Sequence, residues 1–108
     1  MEKVYNKLVR DNIPEIIYKN GDKPIYRVLD EEEYWLYLLK KNEEELKEVA
    51  EAKSNLERKK ELADKLELIR AMAEFNGFSL QDIIDEADRK KQKNGGLKKR
   101  LLLEKVIE

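Results

Sequence analysis

The sequence predicts an all-α fold: a small helical bundle with two long antiparallel helices and short extended segments. Three observations support this prediction. Apolar side chains recur at helical spacing through residues 30–76, a helix-capping residue stands before three of the four predicted helices, and the one alternating segment has no second strand beside it. The 108 residues contain no long stretch rich in Pro, Gly or Ser, so a single domain over residues 1–108 is expected.

The first predicted helix is short. Asp11 or Asn12 serves as its N-cap, Pro14 lies in its first turn and Gly21 follows its end. Residues 23–29 then alternate in character, which predicts an extended segment that is either an edge strand or a connection.

Two long helices follow. Asp30, with Glu33 three residues later, has the form of a capping box and opens a helix that runs to about residue 52. After a short break, a second helix covers residues 56–76 and ends before Gly77. The short connection requires these two helices to pack in antiparallel orientation.

The C-terminal part begins with Ser79, which is predicted to cap another helix. This helix is expected to dissolve into the basic stretch at residues 89–96. The apolar tail, residues 97–108, fits either a helix or a strand.

The second long helix carries an amphipathic stripe that is predicted to face the core. Leu62, Leu66, Ile69 and Ala73 follow one another at steps of four, three and four residues. On the first long helix, Leu46 is taken as the centre of the equivalent stripe.

Four acidic residues occupy matching positions beside these stripes. Each helix has one acid roughly 100° and one roughly 160° from the centre of its stripe. Antiparallel packing would bring the two pairs together across a groove. The four residues are Glu45, Glu48, Glu61 and Asp64.

Converging carboxylates repel each other unless a cation lies among them. The chain has no Cys and no His, so a metal here must be held by oxygen, which suits magnesium, with manganese as a substitute. Magnesium exchanges its waters for phosphate oxygens, so a phosphorylated substrate is expected. The alternative is a solvated acidic face, which is common on Glu-rich helices.

The charge balance and the apolar runs narrow the classes of partner. Acidic residues (24) nearly cancel basic residues (23), which argues against non-specific nucleic-acid binding, and no apolar run is long enough to span a bilayer. The first residues lack the apolar core of a signal peptide, so the expected location is the cytoplasm.

Several segments of the chain resemble one known family. Residues 44–48 have the form E-E-x-x-E, and after twelve further residues 61–64 have the form E-x-x-D. Together with these motifs, Tyr5–Asp11, Ile13–Pro14, Arg27–Leu29, Gly95–Gly96 and Lys99–Arg100 resemble the all-α nucleoside triphosphate pyrophosphohydrolases, the MazG-like superfamily that includes phosphoribosyl-ATP pyrophosphohydrolases.

The resemblance implies hydrolysis between the α and β phosphates of a nucleotide with magnesium, giving a monophosphate and pyrophosphate. It also implies a homodimer or homotetramer. The implied metal ligands and catalytic residues are Glu45, Glu48, Glu61 and Asp64, with Glu44 supporting them. Phosphoribosyl-ATP hydrolysis is a variant of this interpretation.

Basic residues at both ends of the chain are candidates for substrate binding. Lys7 and Arg10 interrupt an apolar segment within the resemblance, and Lys90 and Lys91 could meet the phosphate chain. A cluster of lysines is also typical of a solvated helix end.

Four residues depart from the family's pattern. Asn42 and Lys65 stand where relatives commonly have apolar residues, and Asn94 and Leu97 flank the Gly95–Gly96 pair where Arg and Phe are common. Lys65 is expected to approach phosphate or to form a salt bridge.

The function hypothesis from another class is a non-catalytic helical interaction module with a solvated acidic groove. Such a module would bind no metal and turn over no nucleotide. The aromatic residues Tyr34, Trp35 and Tyr37 are predicted to lie in a subunit interface rather than to stack on a base.

Overall fold

The computed structural model describes all 108 residues and is entirely helical. The four helices are α1 (Ile13–Lys19), α2 (Glu31–Glu51), α3 (Asn55–Phe75) and α4 (Leu80–Asn94). The predicted all-α helical bundle is therefore confirmed. Residues 23–29 form no strand and connect α1 to α2, because no other segment lies beside them to complete a ladder.

N-cap residues explain where the long helices begin, and Asp30 was predicted as a cap whereas Ser54 was not. The Asp30 side chain accepts a hydrogen bond from the Glu33 N–H at 2.9 Å, and Ser54 Oγ accepts one from the Glu57 N–H at 3.1 Å. At the end of α3, Gly77 has a φ of 83°, a left-handed conformation that favours glycine.

The C-terminal part differs from the prediction. Ser79 caps α4 as expected, but the helix continues through the basic stretch to Asn94. An ion pair between Arg89 and Glu86 and lysines in the last turn favour this continuation, because cations interact well with a helix C-terminus. Residues 97–108 form neither of the two predicted structures and contain only a turn.

Packing is concentrated between α2 and α3, and α4 contacts α3. Trp35 near the start of α2 stacks on Phe75 at the end of α3, with ring centroids 5.3 Å apart, so the two helices are antiparallel as predicted. The buried apolar side chains are Leu38, Leu68 and Ala73.

The predicted core stripe is wrong for most of its length. Leu62, Leu66 and Ile69 are 52%, 44% and 38% exposed, and Leu46 is 59% exposed. Each long helix has two apolar stripes, and periodicity alone does not show which of them faces the other helix. The stripe with Leu68 faces α2, which turns the predicted stripe outward.

The protomer is open for its size. Its radius of gyration is 18.3 Å, whereas a folded chain of 108 residues has about 13 Å. Its accessible surface is 10358 Å², compared with about 6,300 Å² for a folded monomer of 12.9 kDa. None of the four helices combines the length and apolar composition needed to cross a membrane.

Candidate metal centre

The four predicted carboxylates meet between α2 and α3, and we call them the acid cluster: Glu45, Glu48, Glu61 and Asp64. Oxygens of Glu45, Glu61 and Asp64 lie within 4.8 Å of one another, and the same limit holds for Glu45, Glu48 and Glu44. Glu45 belongs to both groups and is therefore the centre of the cluster. The predicted convergence is observed. The acids were predicted to lie beside an apolar stripe that faces the core, but they lie on the inward faces of the helices and the predicted stripe faces outward.

Glu45 is the residue that distinguishes this cluster from a solvated acidic face. It is only 5% exposed, and its Oε2 has no hydrogen-bond partner. Oε2 of the half-buried Glu61 is also buried and without a partner. Buried carboxylate oxygens without partners are costly, and a bound cation would relieve this cost.

The pKa values of two acids in the cluster reflect the close approach of the carboxylates. Burial raises the pKa of Glu45 to about 7, and the negative charge of the neighbouring Glu48 adds to the rise. The pKa of Glu61 is also raised, first by the carboxylate of Glu48 beside it and then by burial. Near neutral pH Glu45 therefore holds a proton part of the time, and a bound cation would favour its deprotonated form.

Lys41 is a neighbour of the acid cluster that was not predicted from the sequence. Its Nζ lies 3.6 Å from Glu44 Oε1 and 3.8 Å from Glu45 Oε1. The signal was present, because Lys41 precedes these two acids by three and four residues on the same helix. Lys41 opposes the rise in the pKa of Glu45 but does not cancel it.

Glu44 differs from the cluster because two lysines balance its charge. Lys7 Nζ donates to Glu44 Oε1 at 3.0 Å, and Lys41 lies close by. Burial acts to raise the pKa of Glu44, but the hydrogen bond from Lys7 and the charge of Lys41 outweigh it and lower the pKa. Glu44 therefore has a supporting position beside the cluster.

Of the N-terminal basic residues, Arg10 reaches the acid cluster and Lys7 reaches Glu44 beside it. Lys7 binds Glu44, and Arg10 Nη2 donates to Asp64 Oδ1 at 2.8 Å. Both side chains remain about half exposed, at 49% and 58%. Their donor groups therefore lie at the open rim of the cluster, where a ligand could reach them.

Lys90 and Lys91 are not brought to the cluster within the protomer. Both lie on α4, which packs against α3 and has no packing contact with α2. Neither lysine forms an ion pair with the acid cluster. The Lys91 side chain instead approaches Gly96, where a Cβ would lie 3.5 Å from Lys91 Cε.

The residues present fit a hard divalent cation. All donors are carboxylate oxygens from two rigid helices, and two of these oxygens have no other partner. Oxygen donors of this kind suit magnesium, manganese or calcium. The acid cluster is thus a candidate metal centre.

Comparison with known proteins identifies a partial relative. Over 46 residues, 43% of the chain, the sequence is 46% identical to a protein of Mycolicibacterium smegmatis (strain ATCC 700084 / mc(2)155) that is described as an uncharacterized protein. The match spans 47% of that protein's length. No protein-family profile matches the chain, and no solved structure matches it. The functional conclusion therefore rests on the geometry of the acid cluster.

Proposed function

We propose that the chain is a magnesium-dependent nucleotide pyrophosphohydrolase. Its substrate is a nucleoside triphosphate or a related nucleotide, which it cleaves between the α and β phosphates to a monophosphate and pyrophosphate. The observation that carries the proposal is the buried Glu45, whose unpartnered Oε2 lies at the centre of four converging carboxylates. Phosphoribosyl-ATP is a candidate substrate within the same activity.

The acid cluster would hold magnesium, which neutralises the phosphate chain and acidifies a coordinated water. Glu45 and Asp64 contribute oxygens from opposite helices, so the spacing of α2 and α3 fixes the separation of the ligands. Manganese is expected to substitute, since it accepts the same oxygen donors.

Proton transfer falls to Glu61 in this mechanism. Its Oε2 has no hydrogen-bond partner and lies within the group formed with Glu45 and Asp64. A carboxylate in this position can accept a proton from the attacking water as the water approaches the α phosphorus. No covalent bond to the protein is required.

Substrate phosphates are bound at the rim. The side chains of Lys7 and Arg10 are half exposed beside the cluster, and a guanidinium can donate two parallel hydrogen bonds to a phosphate. Lys90 and Lys91 would contribute only if α4 of a second protomer brought them near. The attraction is specific for a small anion, and no nucleic acid is proposed as partner.

The proposed working form is a homodimer or homotetramer in the cytoplasm. The protomer exposes about 4,000 Å² more than a compact monomer of its mass, which is enough for an obligate interface. Large apolar side chains on the outer faces of the two long helices contribute to this surface: Leu36, Leu39, Leu46, Leu62, Leu66 and Ile69.

The experiment that tests the proposal is an incubation of the purified protein with a panel of nucleoside triphosphates, with and without magnesium. Pyrophosphate and orthophosphate are detected separately. Magnesium-dependent pyrophosphate release supports the proposal. If no nucleotide of the panel is hydrolysed and no binding of magnesium or manganese is measurable, the non-catalytic interaction module is favoured.

A further inference from the structure

The N-terminal arm, residues 1–12, is tied across α2 and α3 by two ion pairs. Lys7 binds Glu44 on α2, with 3.0 Å between Nζ and Oε1, and Arg10 binds Asp64 on α3, with 2.8 Å between Nη2 and Oδ1. The arm has no helix before residue 13, so these side chains provide specific attachments to the long helices.

The two attachments differ in what they hold. Glu44 has two lysines beside it and lies outside the acid cluster. Asp64 belongs to the cluster, and Arg10 is its one ion-pair partner. The Arg10 guanidinium therefore places one positive charge against a carboxylate that a divalent cation would also need.

We propose that Arg10 is a displaceable substitute for the cation, an inference that rests on the proposed metal site. Without metal, Arg10 pairs with Asp64 and offsets part of the charge of the acid cluster. A divalent cation takes Asp64 and releases Arg10, while Lys7 keeps the arm attached to Glu44. The released guanidinium is then free to bind a phosphate oxygen, so metal loading precedes nucleotide binding.

Whether the loss of Arg10 strengthens or weakens Mn²⁺ binding tests this competition. If Arg10 competes with the cation, Arg10→Ala tightens Mn²⁺ binding by about two- to fivefold, the range expected from the loss of one exposed ion pair. The gain should shrink in high salt, because screening already weakens the pair. Arg10→Lys keeps the charge, so its Mn²⁺ affinity should remain close to that of the unchanged protein.

The measurement is a titration with Mn²⁺ in which free Mn²⁺ is quantified by its electron paramagnetic resonance signal. Arg89→Ala is the matched control, because Arg89 forms an exposed ion pair with Glu86 on α4, which has no packing contact with α2. Its Mn²⁺ affinity should not change. Equal or weaker binding by Arg10→Ala would overturn the inference and leave the proposed metal site intact.

Absence of Mn²⁺ binding by the unchanged protein is a different outcome, which would overturn the proposed metal site and this inference together.

A second measurement leaves Arg10 in place. The chain has no cysteine, so Val9→Cys gives one attachment point for a nitroxide label next to Arg10. Magnesium should increase the mobility of this label.

The control for the labelling experiment adds Asp64→Asn to the labelled chain. In that variant the label should already be mobile without magnesium and should not respond to it. In the labelled chain that keeps Asp64, magnesium should not leave the mobility of the label unchanged or reduce it. Either result would overturn the release of Arg10, even if the metal binds.

Discussion

Lys65 donates a hydrogen bond from Nζ to Asn42 Oδ1 at 2.8 Å, across the contact between α3 and α2. Both residues stand where the resembling family commonly has apolar side chains, and the structure makes them partners. Lys65 therefore forms a hydrogen bond with an amide oxygen and no salt bridge with a carboxylate. Each departure from the pattern explains the other, because a half-buried ammonium group needs an acceptor.

This pairing predicts a non-additive effect on stability. Asn42→Leu alone leaves the Lys65 ammonium without its acceptor and should lower the free energy of unfolding by about 1–2 kcal/mol. Asn42→Leu combined with Lys65→Met restores an apolar contact and should recover most of that loss. Urea unfolding of the two single variants and the double variant measures the coupling. Strict additivity would show that the hydrogen bond contributes nothing.

Removal of the central carboxylate should separate stability from function. Glu45→Gln keeps the shape of the side chain but removes a buried charge, so the metal-free protein should become more stable at pH 8, by on the order of 1–3 kcal/mol. The same variant should lose the increase in melting temperature that magnesium gives to the unchanged protein. Thermal unfolding with EDTA and with magnesium checks both effects, and Glu43→Gln, an exposed site on α2, is the control.

The stability of the metal-free protein should fall as pH rises. The pKa of Glu45 is about 7 in the folded protein and about 4.5 in an ordinary environment, so the folded state binds the extra proton between these values. The proton on Glu45 stabilises the folded state fully below about pH 4.5. This stabilisation is lost as pH passes 7, which lowers the free energy of unfolding by on the order of 2–3 kcal/mol. Urea unfolding in EDTA from pH 5 to pH 8.5 measures this. Magnesium should reverse the trend, since it binds the deprotonated cluster.

Loss of Glu61 should abolish turnover without loss of the fold. Glu61→Gln keeps the size of the side chain but removes the proton acceptor, so pyrophosphate release should fall by about 10²–10⁴-fold. Circular dichroism and sedimentation should match those of the unchanged protein. A variant that retains more than a tenth of the unchanged activity would rule out the assigned role of Glu61.

The outward leucines should control assembly. Leu62 and Leu66 are exposed in the protomer, so Leu66→Lys would place a charge in the proposed subunit interface. Sedimentation equilibrium should then report monomers or a marked loss of oligomer. Glu74→Lys, an exposed substitution on the same helix, should leave the mass unchanged. A Leu66→Lys protein with the full oligomeric mass would place the interface elsewhere.

The helices were predictable because their signals are local. Asp30 and Ser79 were predicted as caps from their side-chain chemistry, and the structure uses both; Ser54 caps α3 in the same way but was not predicted. The orientation of the helices about their axes was not predictable from the same patterns. Leu62 and Leu68 both belong to apolar stripes, and only the packing of α2 against α3 decides which is buried.

The acid cluster was predictable in composition but not in its surroundings. The spacing of Glu45 and Glu48 against Glu61 and Asp64 predicted the convergence, which the antiparallel packing of α2 and α3 brings about. The burial of Glu45 and the position of Lys41 depend on the rotation of α2, which the pattern of exposed leucines misrepresented. The tail was ambiguous because its apolar residues have no partner within the protomer to select a structure.

The unpartnered oxygen of Glu45 also affects how long the protein would survive among proteases. A buried group that is satisfied only by a bound ion weakens the empty protein, so the empty form opens more often and exposes cleavable backbone. Copies that have acquired an ion open less often and are degraded more slowly. The supply of divalent ions would therefore set the abundance of the protein as well as its activity.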